Sequence, residues 1–169
     1  LKEFLGHCLI SQSSKMSSTI LIVGASSGIG KETALTFAQN NWKVIACSRN
    51  LKKLNTLTKQ TDKIICPIKL DITDKKNLNI NLNKIISKFG IPDIVFLNAG
   101  TNNPNSKNIV SYEESFKLFD TNYFGIIHCI EILIPHLSKK KSSQLAIMSS
   151  VAGYRGLPYA AAYCSSKSA

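Results

Sequence analysis

Arginine is nearly missing from this chain. Of 21 basic residues among 169, only Arg49 and Arg155 carry a guanidinium, and all others are lysine. A net charge of +11 would otherwise suggest a nucleic-acid partner. Bidentate recognition of bases and phosphates, however, relies on the arginine fork, and the lysines are scattered along the chain. Their sole run, Lys139-Lys140-Lys141, lies between a helical pattern and the strand-like Leu145-Ala146-Ile147, and reads as a solvated loop. No nucleic-acid partner is expected. Long apolar runs are missing too: none reaches the ~18 residues of a membrane span, so no membrane association is expected. The five cysteines (Cys8, Cys47, Cys66, Cys129, Cys164) are odd in number and show no Cys-x-x-Cys spacing. They read as the reduced thiols of a cytoplasmic protein. His7, His128 and His136 form no cluster with cysteines or carboxylates, so no metal site is expected. Position 1 is not methionine, whereas Met16-Ser17-Ser18-Thr19 stands just before the first strand pattern. Residues 1–15 therefore read as a disordered or spurious extension, and 16–169 as one domain.

What the chain does contain is an alternation of short apolar strands with amphipathic helices. Strands are expected at 19–24, 43–48, 64–70, 93–98 and 144–149. Helices are expected at about 28–40, 51–60, 74–88 and, as one long element, 112–139. Residues 101–108, rich in asparagine, read as a loop. The alternation implies an α/β fold with a doubly wound parallel sheet and helices on both faces, with ligands at the carboxyl ends of the strands.

The first strand, Ile20-Leu21-Ile22-Val23, runs directly into Gly24-Ala25-Ser26-Ser27-Gly28-Ile29-Gly30 and then a helix pattern. Gly24 permits a tight turn, Gly28 lets a pyrophosphate approach the backbone, and Gly30 lets the helix pack on the strand. Free N–H groups at the helix start can receive phosphates. The Gly-x-x-x-Gly-x-Gly spacing departs from the general Gly-x-Gly-x-x-Gly dinucleotide pattern, and an ordinary βα turn is the alternative. Near the other end stand Tyr163 and Lys167, four residues apart and so on one helix face. A cation beside a phenol favours phenolate and lowers a reference pKa of about 10, which makes Tyr163 a candidate proton donor and acceptor. Taken alone, Tyr-x-x-x-Lys also occurs on ordinary exposed helix turns. Ser150, thirteen residues earlier, could hydrogen-bond a substrate oxygen.

Together these motifs resemble the classical short-chain dehydrogenase/reductase family. Leu97-Asn98-Ala99-Gly100 looks like the family's segment that buttresses the central strand and borders the cofactor. Asp120-Thr121-Asn122-Tyr123-Phe124-Gly125 places Asn122 at the family's catalytic asparagine, and Ile147-Met148-Ser149-Ser150 ends on its catalytic serine. The resemblance covers all but the N-terminal stretch. It implies a Rossmann-type NAD(P)-binding domain, incomplete at the C-terminus, and hydride transfer between nicotinamide and a small-molecule carbonyl or alcohol. Tyr163 would be the general acid/base, Lys167 would tune it and bind the nicotinamide ribose, and Ser150 would polarise the substrate oxygen. Asn122 would hold a water linking Lys167 to solvent. Cofactor contacts would come from Gly24, Ser26, Ser27, Gly28, Ile29, Gly30, Ser48, Arg49, Asp71, Ile72, Asn98, Ala99, Gly100, Tyr163 and Lys167.

Strand 2 ends Cys47-Ser48-Arg49-Asn50, without the acid that NAD-selective members of the family carry there. Arg49 can fork onto the 2′-phosphate of NADP and Ser48 can add a hydrogen bond, so NADP(H) is preferred while NAD(H) remains open. An exposed arginine near the next helix is the alternative for Arg49, and a turn or cap aspartate is the alternative for Asp71. A full-length form is expected to be a homodimer or homotetramer, and the given residues alone are expected to be inactive. The competing functional reading is a truncated nucleotide-binding module without turnover.

Overall fold

In the computed structural model the described residues are 18–61, 64–102 and 111–169. The expectations for residues 1–15 and for Met16, and most of the loop expected at 101–108, lie outside them. Five strands form one parallel sheet in the order β3-β2-β1-β4-β5. They are β1 (Thr19–Val23), β2 (Lys43–Ser48), β3 (Ile65–Lys69), β4 (Ile94–Leu97) and β5 (Gln144–Ile147). Register runs from Ile20 opposite Val44 and Ile94 to Val23 opposite Cys47 and Leu97, so the strand ends are level where the glycine loop begins. β3 is an edge strand, which is where Pro67 costs the sheet no ladder bond.

Alternate residues of each strand feed two cores, as a sheet covered on both faces requires. Leu21, Val23, Ile45, Cys47 and Val95 pack with Leu78, Leu82 and Ile85 of α3 (Lys75–Phe89) and with Ile126, Cys129 and Leu133 of α5 (Gly125–Leu137). Ile20, Ile22, Val44, Ala46 and Ile65 pack with Ala34 and Ala38 of α1 (Gly28–Gln39) and with Leu54 and Leu57 of α2 (Leu51–Thr58). The starts of α2 and α3 are set by side chains that satisfy orphan amides: Asn50 accepts from Lys53 N, and Asp74 from Asn77 N. Ser111 does the same for Glu114 N at the start of α4 (Tyr112–Phe119).

The expected long helix over 112–139 is not one regular element. Between α4 and α5 the backbone widens into a π-helical turn, Asp120–Phe124, closed by Gly125 N donating to the Asp120 carbonyl. One extra residue is thereby accommodated in the turn, a device that re-aims side chains and recurs at functional sites. Gly125 is needed there: a Cβ would come within 2.7 Å of the Ile72 side chain. The chain ends in a 3-10 turn, Val151–Gly153, and a helix α6, Ala161–Ser168.

The Lys139-Lys140-Lys141 run lies in the expected loop with Lys139 and Lys141 exposed, while Lys140 pairs with Asp93 at 2.7 Å and donates to the Ile91 carbonyl. The thiols of Cys47, Cys129 and Cys164 are free. Among the described residues no helix is long and apolar enough to cross a membrane, and no His/Cys/Asp/Glu group is arranged to hold a metal ion.

Candidate active site

The turn after β1 is built by two glycines with positive φ, Gly24 at +95° and Gly28 at +53°. Gly24 is pinned from both sides. Its N–H and that of Ala25 donate to the Cys47 carbonyl of β2 at 2.8 and 3.0 Å, and its carbonyl accepts from Asn98 Nδ2 at 3.0 Å. A Cβ on Gly24 would reach within 2.6 Å of Ala99 N, and one on Gly30 would collide with the Gly24 carbonyl. Gly30 thus serves close packing under the loop. Gly28 differs, because a Cβ there would meet nothing within 4 Å. Its open face lies at the start of α1, where the first amides have no helical partner. Ser27, the N-cap, leaves its hydroxyl uncommitted. These are the features that a pyrophosphate needs: anion-seeking amides, free hydroxyls and no side chain in the way.

Beside this loop, at the carboxyl ends of β1 to β4, is a cleft of about 340 Å³. It is lined by ten of the expected cofactor contacts: Gly24, Ser26, Ser27, Ser48, Arg49, Asp71, Ile72, Asn98, Ala99 and Gly100. Gly28, Ile29 and Gly30 do not line it; Ile29 points to solvent and Gly30 is buried. Arg49 is exposed and has no ion pair or hydrogen bond among the described residues, so its guanidinium is available to an anion. Ser48 is buried and already engaged, its Oγ accepting from Asn50 N at 3.0 Å, and Asn50 rather than Arg49 caps α2. Asp71 Oδ1 closes a turn by accepting from Thr73 N and Oγ1, at 3.0 and 2.7 Å. Asp71 thus serves a turn and also lines the cleft.

Two of the four catalytic candidates, Asn122 and Lys167, meet at Gly100 on the wall of the cleft. A Cβ there would lie 3.5 Å from Asn122 Oδ1 and 3.5 Å from Lys167 Nζ. The π-helical turn directs Asn122 inward, where it is 6% exposed. Its amide is held on both sides by the Thr101 backbone: Thr101 N donates to Oδ1 at 2.7 Å, and Nδ2 donates to the Thr101 carbonyl at 2.8 Å. The second Nδ2 hydrogen goes to Ser166 Oγ at 3.0 Å. With both donors committed, Asn122 acts first as a staple between loop and helix. Lys167 Nζ donates to the Met148 carbonyl at 3.2 Å, and its half-burial pushes the ammonium pKa down from its ordinary value. Asn122, Met148, Ser149, Ser166 and Lys167 share a second, smaller cavity of about 180 Å³.

Ser150 caps the 3-10 turn by accepting from Ala152 N at 3.2 Å, which leaves its hydroxyl hydrogen free to donate. Among the described residues no hydrogen bond joins Ser150 to Tyr163. Tyr163 is half-buried with its hydroxyl uncommitted, and neither it nor Lys167 lines the larger cleft. α6 is pressed onto the Ser150 turn at Gly153, where a Cβ would come within 2.6 Å of the Lys167 carbonyl. Cys164, adjacent to Tyr163, accepts from Leu157 N at 3.2 Å and fastens the intervening loop. Sequence reading missed Asn50 and Thr121 on the cleft wall and the Met148 carbonyl under Lys167. Only Thr121, beside Asn122 in its motif, carried a signal that could have found it.

Residues 18–169 match the family model described as short chain dehydrogenase. An NADPH-dependent pterin aldehyde reductase of Arabidopsis thaliana is 36% identical over 152 residues, covering 88% of this chain and 63% of that protein. An uncharacterised oxidoreductase of Schizosaccharomyces pombe is 41% identical over 152 residues, covering 89% and 60%. Among solved structures, ElxO with NADP bound superposes with a TM-score of 0.82 at 31% identity, covering 90% of this chain and 63% of that one. The chain thus spans about 60% of the length of these proteins.

Proposed function

The chain belongs to the short chain dehydrogenase family, and from that membership we propose that the whole protein is an NADPH-preferring oxidoreductase acting on a carbonyl or alcohol carbon of a small molecule. The observation that carries this reading is the position of Gly100. It lines the cleft that begins at Arg49, and it also adjoins Lys167 Nζ and Asn122 Oδ1. The cleft thus reaches Lys167 and Asn122 at Gly100, which supports a nucleotide lying between Arg49 and these groups. The cofactor preference is supported by the uncommitted Arg49, by the absence of an acid at the end of β2, and by NADP(H) in the names of the pterin aldehyde reductase and of ElxO.

NADPH, when bound, supplies the hydride. The amides at the start of α1, with Ser26 and Ser27, would hold its phosphates, and Arg49 would hold the 2′-phosphate by a charge-assisted fork. Ser150 donates its free hydroxyl hydrogen to the substrate oxygen and so stabilises the charge that grows there. Tyr163 gives its hydroxyl proton to that oxygen as the carbon is reduced, and takes it back in the reverse direction. Lys167 keeps a positive charge beside this exchange, and Asn122 fixes the wall opposite it. Exposed apolar side chains along α4, the π-helical turn and α5, namely Phe116, Phe124, Ile127 and Ile134, support assembly of the full-length protein as a homo-oligomer.

The test uses the full-length protein, NADPH and a panel of aldehydes and ketones, with NADPH consumption and cofactor affinity measured separately. Tyr163→Phe should all but abolish turnover and leave NADPH affinity within about twofold, while Lys167→Ala should reduce both. Tight NADPH binding by a wild type that turns over no carbonyl would favour a nucleotide-binding module instead.

A further inference from the structure

We propose that Ser166 is a positioning residue for this reaction, its hydroxyl locking the π-helical turn at Asn122 to the helix that bears Tyr163 and Lys167. The proposal rests on the reading of Tyr163 and Lys167 given above. Ser166 is 2% exposed, and its partner Asn122 6%. Like many serines within helices, it bonds back onto its own helix, donating to the Tyr163 carbonyl at 2.8 Å. That spends its hydrogen, so toward Asn122 Nδ2, at 3.0 Å, it can only accept. The Thr101 backbone fixes which way the Asn122 amide faces, and Ser166 Oγ takes the remaining Nδ2 hydrogen and so ties that amide to α6. With Nδ2 bound by Ser166 Oγ and the Thr101 carbonyl, Oδ1 must meet Thr101 N, beside Gly100 and Lys167 Nζ. Ser166 is the point at which a loop after β4, a widened helical turn and the reacting helix share one hydrogen-bonded chain. Alanine at 166 would leave one Asn122 donor buried without a partner and release the turn from α6.

In the full-length protein, Ser166→Ala should lower kcat about tenfold, within the range of couplings between contacting groups, while NADPH affinity stays within about twofold. Ser166→Thr, which keeps the hydroxyl, should recover most of the loss. The double variant Ser166→Ala/Asn122→Ala should be no slower than Asn122→Ala. Exchange of the Asn122 side-chain amide hydrogens, followed by NMR, should accelerate in Ser166→Ala. Additive losses in the double variant, a parallel loss of NADPH affinity, or unchanged amide exchange would each overturn the proposal. Should the threonine methyl not fit this buried position, the double variant and the exchange rates decide the matter. A wild type inert toward every carbonyl would defeat the functional reading, and the exchange rates would still test the lock.

Discussion

Gly100 and Lys167 meet at van der Waals range: a Cβ on Gly100 would stand 3.5 Å from Lys167 Nζ and equally far from Asn122 Oδ1. A methyl on Gly100 would thus make ordinary van der Waals contact with both groups. Alanine fits this geometry, whereas the branched valine side chain would press on the ammonium and the amide. Gly100→Ala should keep kcat within about threefold, and Gly100→Val should lower it at least tenfold, since a displacement of about 1 Å can cost a hundredfold. Steady-state kinetics on the full-length protein decide it, and equal activities in the two variants would refute the steric account.

Arg49 is the one cation on the cleft wall with no protein partner among the described residues. Arg49→Ala should erode the preference for NADPH over NADH by about 1.5–3 kcal/mol, the range for a hydrogen bond to a charged group. The ratio of kcat/KM for the two cofactors measures it. A wild type that prefers NADH would contradict the assignment of Arg49.

The loop glycines should separate stability from binding. Gly30→Ala drives a Cβ into the Gly24 carbonyl and should lower the unfolding midpoint sharply. Gly28→Ala meets open space but forces alanine to a φ of +53°, a strain of about 1 kcal/mol. Its main effect should be a loss of NADPH affinity, because the methyl would occupy the anion site. Denaturant titration and cofactor titration, run on both variants, distinguish the two roles; a Gly28→Ala protein that binds NADPH normally would place the phosphates elsewhere.

Asp93 joins the sheet to the loop after α5, accepting from Thr19 N at 2.8 Å and from Lys140 Nζ at 2.7 Å. Partial burial pushes its carboxyl pKa up, but the Lys140 hydrogen bond, the Thr19 amide and the Lys140 charge outweigh it and hold the pKa below the ordinary 3.8. A depressed carboxylate pKa stabilises the fold above the unfolded value, and that stability is lost as pH falls through the folded value. Asp93→Asn should therefore cost about 1 kcal/mol at neutral pH, with the gap to wild type closing in acid below about pH 3.8. Denaturation curves at both pH values test this, and a gap independent of pH would show that the charge is not involved.

Much of the architecture is legible along the chain because it depends on local pattern. β2 occupies Lys43–Ser48 as its apolar run and flanking turn residues indicate, and the other strands and α1 to α3 fall within a residue or two of expectation. The helix expected over 112–139 runs unbroken from Tyr112 to Leu137, but the π turn inside it was not foreseen. An added residue in a helical turn hardly disturbs an apolar periodicity of 3.6, so nothing in Asp120-Thr121-Asn122-Tyr123-Phe124 announces the π turn. The ion pair of Lys140 with Asp93 was not foreseen because it leaves no mark on a run of three lysines.

By itself, then, the sequence determined the parallel α/β sheet, the glycine turn after β1, and which side chains are candidates to carry protons or bind phosphates. These follow from residue type and short-range spacing. Only the tertiary structure decided that Asn122 is clamped by Thr101 and Ser166, that Lys167 rests on the Met148 carbonyl, and that Gly100 joins the cleft to both. Those relations are hydrogen bonds and close approaches between segments far apart in the chain, several of them to backbone atoms that every residue possesses. No residue type encodes them, and they arise only when the sheet sets its loops side by side.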